Sequence, residues 1–186
     1  VPAIGRSLKV PYELQHDNAS GNGFRECFSS TCAAIARYHG RISGDDAYNL
    51  IRMGYGDTTS AAAELRTLRH LGLIATFHPK ASPDLIRREI DAGRPIAVGW
   101  IHLGPLPRGL RGSGHWSAIS GYDATHTIHQ DPYGEADMLN GGYVSRWGGR
   151  SIRYTWRNWR QRWEVEPIGS GWRFAPGNGW AVTVRT

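Results

Sequence analysis

A cysteine where a helix begins, a histidine after a glycine and an aspartate before a proline are the residues here whose types and spacing could do chemistry together. Cys27 closes the polar, glycine-containing stretch GFREC and opens CFSSTCAAIARYHG (27–40), a run with helical spacing that stops at Gly40. A helix N-terminus carries partial positive charge and favours a thiolate over a thiol, so a sulfur placed there is a candidate nucleophile. Taken alone, a free cysteine is more often packed as a small hydrophobe, and that is the reading for Cys32, which falls inside the apolar stripe. What separates Cys27 is the availability of partners. A thiol nucleophile needs a base within hydrogen-bond reach, and the base needs an acceptor that orients it. The segment GHWSAISGYDATHTIHQDPYG (114–134) reads as a β-hairpin turning near Asp123, which sets His115 roughly opposite Asp131. Gly114 leaves room for a substrate backbone, and Pro132 fixes the chain where the second strand ends. His126 and His129, on that second strand, read as surface or packing residues.

The elements that must position these residues come as helices first and strands afterwards. SGDDAYNLIRM (43–53) offers Ser43 and Asp46 as a capping box for a second helix. TSAAAELRTLRHLG (59–72) is a third, ending on Gly72. SPDLIRREIDAG (82–93) is a fourth, with Ser82 as N-cap and Pro83 in the first helical position. PIAVGWI (95–101), the two hairpin strands and GWAVTVR (179–185) then read as strands, with a helix over YTWRNWRQRW (154–163) between the last two. Trp156, Trp159 and Trp163 fall on one face of that helix as core, which puts Arg157, Arg160 and Arg162 on the wet side. The expected fold is α+β, an N-terminal helical part packed on a mainly antiparallel β-sheet, in one domain spanning 1–186. The chain begins at Val1 with no visible signal peptide, and is expected to be a processed form or a piece of a longer protein.

Composition narrows the function classes. The 186 residues carry a net charge of +6, which favours anionic partners such as nucleic acid, acidic lipid or cell-wall polymers. Two cysteines cannot make a disulfide scaffold, and no apolar run approaches the ~18–20 residues of a membrane span. Cys27, His115, His126, His129 and Asp131 could be grouped as zinc ligands, but neither Cys-x-x-Cys nor His-Glu-x-x-His spacing occurs, so no metal and no cofactor is expected. The arginine–tryptophan interleaving of 146–163 resembles single-strand binders, yet its tryptophans read as core, and no specific nucleic-acid partner is expected.

Acyl transfer also needs donors for the oxyanion. Papain-like enzymes form them from the main-chain N–H at the nucleophile and an upstream glutamine, and Gln15 is the only glutamine before Cys27. At this point the chain resembles the C39-like cysteine peptidases of the papain-like superfamily. The resemblance runs through VPYELQHDN (10–18), ECFSSTCAAIARYHG (26–40), LIRREIDAGRPIAVGW (85–100) and the hairpin, and continues into YTWRNWRQRW and WAVTV. It implies a papain-like fold, with Cys27 as nucleophile, His115 as general base and acid, Asp131 orienting His115, and Gln15 as oxyanion donor. The sequence departs from the family pattern in having FSST after the cysteine instead of a Gly-Pro pair, and in a long, glycine-rich loop from Gln15 to Cys27. The resemblance implies a peptide substrate. The stand-alone, basic, Trp-rich character favours bacterial peptidoglycan over a transporter's leader peptide, as for a phage endolysin or a bacterial wall hydrolase. Such an enzyme acts at the bacterial cell wall, a phage lysin after accumulating in the host cytoplasm. The alternative from another class is a non-catalytic, degenerate peptidase domain that grips a wall polymer or a protein through its Arg/Trp surface.

Overall fold

The computed structural model describes residues 5–186. Within them lies an α+β fold, a large antiparallel sheet covered by helices. Its hub is strand β4 (Arg111–Tyr122), which pairs along much of its length with β3 (Ile96–Leu103) and, over its second half, with β5 (His126–Gln130). Beyond β3 lie β11 (Gly179–Arg185) and, at the edge, β2 (Ile74–Ala81); the short β1 (Arg6–Ser7) pairs with β4, and β6 (Glu135–Ala136) pairs with β7 (Tyr143–Ser145) in a separate two-stranded sheet.

Alternation along β3 explains how both faces are covered. Ala97 joins a cluster with Phe28, Cys32 and Ile35 of α1 (Cys27–Tyr38), Tyr48 of α2 (Asp45–Arg52) and Leu68 of α3 (Ala61–His70). Alanines meet across this contact, Ala33 and Ala36 from the helix and Ala97 and Ala118 from the sheet, so α1 lies close against the strands. Ile96, Val98 and Trp100 instead pack with Ile86 and Ile90 of α4 (Pro83–Asp91) and with Trp159 and Trp163 of α5 (Trp156–Trp163). The helices therefore clothe both faces of the sheet, with the N-terminal three together on one.

The tryptophan stripe of α5 is buried as its spacing predicts, but Arg162 is not on the wet side. It is fully buried and donates to three main-chain carbonyls: Nε to Met138 at 2.9 Å, Nη1 to Ile101 at 3.1 Å and Nη2 to Gly104 at 2.8 Å. The reason is geometric, since a residue three after Trp159 shares its face. Burial pushes its guanidinium down to about 10. Arg162→Ala removes a buried cation and strands three carbonyl acceptors, so we expect a loss of about 3–5 kcal/mol in denaturant unfolding, against under about 0.5 kcal/mol for exposed Arg157→Ala.

One further expectation is corrected. Helix α2 starts at Asp45 with Gly44 as N-cap and no side-chain cap, so Ser43 and Asp46 form no capping box. The acids are used elsewhere: Asp46 Oδ1 accepts from Ala19 N at 2.8 Å and Asp45 Oδ2 from Ser30 Oγ at 2.8 Å, tying α2 to the start of α1. Ser82 is the N-cap residue of α4 and Pro83 takes the first helical position, both as the sequence predicts, although the Ser82 side chain makes no capping hydrogen bond. Two stretches with no sequence reading are strands: β2, and the hairpin of β9 (Val165–Ile168) with β10 (Gly171–Phe174). Both contain a proline, Pro79 and Pro167, on a strand at a sheet edge, where a missing N–H is tolerated.

Candidate active site

The segment 15–26 sets the cysteine. It is two 3-10 turns, Gln15–Asp17 and Gly23–Arg25, folded back on each other. Gln15 Nε2 donates to the Gly23 carbonyl at 2.6 Å, and a Cβ on Gly23 would stand 1.9 Å from the Gln15 carbonyl oxygen, so only glycine permits this approach. Glu26, buried as the N-cap residue of α1, accepts through Oε2 from Asn18 Nδ2 and Ser20 Oγ, both at 2.7 Å. These bonds clamp the long loop to the helix start. Cys27 follows as the first residue of α1, half-buried, while Cys32 is sealed in the core.

The hairpin supplies the other two groups, though in a register different from the expected one. Pairs run Tyr122↔Thr127, Gly121↔Ile128, Ile119↔His129 and Ala118↔Gln130, with an irregularity between Ile119 and Gly121. The turn is therefore centred past Asp123, and Asp131 leaves the ladder instead of facing His115 across it. The two still meet: His115 Nε2 lies 2.7 Å from Asp131 Oδ1. Asp131 is fully buried and held from several sides. Its N–H donates to the Gly149 carbonyl at 2.8 Å, and Oδ1 accepts from Tyr133 N at 3.1 Å. A Cβ on Gly149 would fall 1.9 Å from the Asp131 carbonyl oxygen, which makes glycine a requirement there too. Gln15 N donates to the Pro132 carbonyl at 3.0 Å, joining the glutamine turn directly to the aspartate segment.

His115 is 2% exposed. Burial alone pushes its imidazole down, but the Asp131 carboxylate first, and then the Cys27 sulfur in the same cleft, more than reverse this, and it is pushed up to about 10. Cys27, His115 and Gln15 line one cleft of about 620 Å³. One arm is aromatic: Phe28 stacks on Trp116 at 3.7 Å, and the Trp180 ring packs over Gly114, where a Cβ would stand 3.3 Å from it. The other arm carries Tyr133 and Tyr143, 4.0 Å apart and both edge-on to His115, together with His102. His102 is driven down to about 4 by burial and by the charge of His115, and so is neutral in the working range. His129 is a packing residue, its ring nitrogens engaged by Ser117 and Thr127 hydroxyls at 2.8 Å, and His126 is half-buried beside the turn. Among the described residues, no three or more His, Cys, Asp or Glu side chains form a group that could hold a metal ion.

Several cleft residues carried no sequence signal. Tyr133 is two residues past Asp131 and can be taken with it, whereas strand pairing brings His102 and Tyr143 to the cleft and Tyr154 to Asp131 behind it.

Two solved structures share this architecture over nearly the whole chain. One is a double glycine motif protease from an AMS/PCAT transporter in complex with the leader peptide, at 15% identity and a TM-score of 0.58, with 98% of this chain and 96% of that one covered. The other is a Bacillus anthracis protein assigned as a C39-like peptidase, at 14% identity and a TM-score of 0.64, with 98% of both chains covered. The fold is thus that of C39-like peptidases. Residues 7–149 match the model of the Peptidase_C39 like family, and the chain belongs to that family. Comparison with curated proteins gives no match.

Proposed function

We propose that the chain is a cysteine peptidase in which Cys27 is the nucleophile, His115 the general base and acid, Asp131 the group that orients His115, and Gln15 an oxyanion donor. The observation that carries this reading is the convergence of three distant segments. A half-exposed cysteine at a helix N-terminus, an imidazole fixed by a buried carboxylate, and a glutamine amide line one cleft. Cys27 passes its proton to His115, and the sulfur attacks the amide carbonyl of a bound peptide. The oxyanion is met by the Cys27 N–H, one of the helix-start donors with no intrahelical partner, and by Gln15 Nε2. One hydrogen of that amide is held by Gly23, which aims the other. His115 protonates the leaving amine, then takes a proton from the water that cleaves the thioester and frees the acid.

Gln15→Ala removes a side-chain donor at the position where charge develops. We expect kcat to fall about 100-fold or more with KM changed little, read from steady-state cleavage of a peptide substrate.

For the substrate we propose the peptides of bacterial peptidoglycan, cut by an endolysin-type or bacterial wall hydrolase acting at the wall. The net charge of +6 suits an anionic wall polymer. Phe24 on the cleft lining and Trp147 near its Tyr133 side are 72% and 70% exposed, and flat apolar faces of this kind suit a repeating glycan-peptide. Among the described residues no helix is long and apolar enough to cross a membrane. The test is digestion of purified wall material beside a double-glycine leader peptide, with new termini identified by mass spectrometry. New peptide termini from the wall alone support the reading. Cleavage of the leader peptide alone overturns the wall substrate and leaves the peptidase assignment standing.

A further inference from the structure

We propose that Tyr154 is a positioning residue that sets how strongly Asp131 holds the proton on His115, an inference that rests on the peptidase reading above. Tyr154 lies on β8 (Ile152–Thr155), five residues beyond the segment matched by the family model, and reaches the site because β8 pairs with β5, Thr127 opposite Tyr154. Its ring is buried between His129 and Trp100, with centroids 4.9 and 5.8 Å away.

The hydroxyl has one proton, and the geometry decides where it goes. Ala136 N donates to the phenolic oxygen at 2.9 Å and occupies a lone pair. Two acceptors remain: Asp131 Oδ2 at 3.0 Å and the Gly134 carbonyl at 3.5 Å. The shorter contact is also the charge-assisted one, so the proton points at Asp131. Burial and the neighbouring Asp131 charge hold the phenol well above its ordinary range, so it remains a donor. Asp131 is thus held in one plane, Oδ2 by Tyr154 and Oδ1 by Tyr133 N, with Oδ1 facing His115 Nε2.

The donor also tunes strength. A hydrogen bond from Tyr154 spreads the carboxylate charge and weakens its pull on the imidazolium. Without it, the buried carboxylate depends more on the His115 proton, and the imidazolium persists to higher pH.

The experiment is the rate of iodoacetamide alkylation of Cys27 as a function of pH, which needs no knowledge of the substrate. Cys32 is fully buried and silent. The parent rate should show an upper step as His115 loses its proton. Tyr154→Phe should move that step up by about half a pH unit or more, and lower kcat about tenfold with KM within about twofold. Should Tyr154→Phe fold poorly, 3-fluorotyrosine placed at 154 keeps the shape with a more acidic phenol, a stronger donor, and should move the step down. An unmoved step in the folded variants, or a shift of the same sign in both, overturns the proposal even if kcat falls. If instead the parent shows no step that His115→Ala abolishes, the peptidase reading fails and Tyr154 falls with it.

Discussion

Cys27→Ala is expected to reduce peptide cleavage to background, a loss of roughly 10⁴- to 10⁶-fold in kcat, with the protein still folded. The size follows from the proposed mechanism, in which without the sulfur no acyl-enzyme forms and only the oxyanion donors and binding remain to act on a water. The retained fold follows from the site. Cys27 is only half-buried, and alanine is a good residue for the first turn of a helix. A thermal melt within a few degrees of the parent, beside the lost activity, is the expected pair of readings. Cys32→Ala should reverse the pattern: that side chain is fully buried between α1 and the sheet, so its loss lowers stability by about 1–2 kcal/mol and leaves turnover largely intact. Equal activity losses in the two variants would contradict the assignment.

Asp131→Asn should be nearly as severe, about 10²- to 10⁴-fold in kcat, and should also change the pH profile. Burial pushes the His115 imidazole down, and the carboxylate 2.7 Å away is the main reason it stands instead near 10. A raised value means that the proton needed by the leaving amine is retained above the ordinary histidine value near 6.5, and that activity is lost as pH rises through the folded value. An amide in place of the carboxylate removes the largest influence that opposes burial and leaves only the Cys27 sulfur against it. The alkaline limb of kcat/KM should then move down by about two pH units or more. The same sign governs stability: what the His115–Asp131 pair contributes is fully present below about pH 6.5 and lost as pH rises through the folded value, so Asp131→Asn should flatten that alkaline loss. A variant with lower activity but an unmoved limb would mean that the carboxylate does not set the imidazole's charge.

Much of the candidate site is legible because its proposed parts sit at element boundaries that the sequence marks. Cys27 stands where the helical period begins, Gly114 and Pro132 mark His115 and Asp131, and Gln15 is the only upstream glutamine. What stayed hidden depends on contacts between segments. The hairpin register shifted because an irregularity between Ile119 and Gly121, with a turn past Asp123, cannot be read from alternation alone, yet the His115 side chain still reaches Asp131. Tyr154 lies on a strand whose partner is distant in sequence, and His102 lies where the β3–β4 register shifts between Ile101 and Leu103, so no local pattern marks either as a neighbour of the site. At Arg162 position outweighs charge: its offset of three from Trp159 puts it on the buried face of α5, which a charged side chain does not announce. β2 and β9 carry no clear strand signal because each contains a proline, which an edge strand tolerates.

Beneath every step lies one claim, that the Cys27 sulfur and the His115 imidazole act as a pair. It is tested most directly by the rate at which iodoacetamide modifies Cys27 at pH 5.5, with the modified peptide identified by mass spectrometry. An ordinary thiol is almost wholly protonated there and reacts slowly. The account predicts modification at least about 100-fold faster than a model thiol, reduced to the model rate by His115→Ala. A parent rate no faster than the model thiol, or one indifferent to His115→Ala, would contradict it.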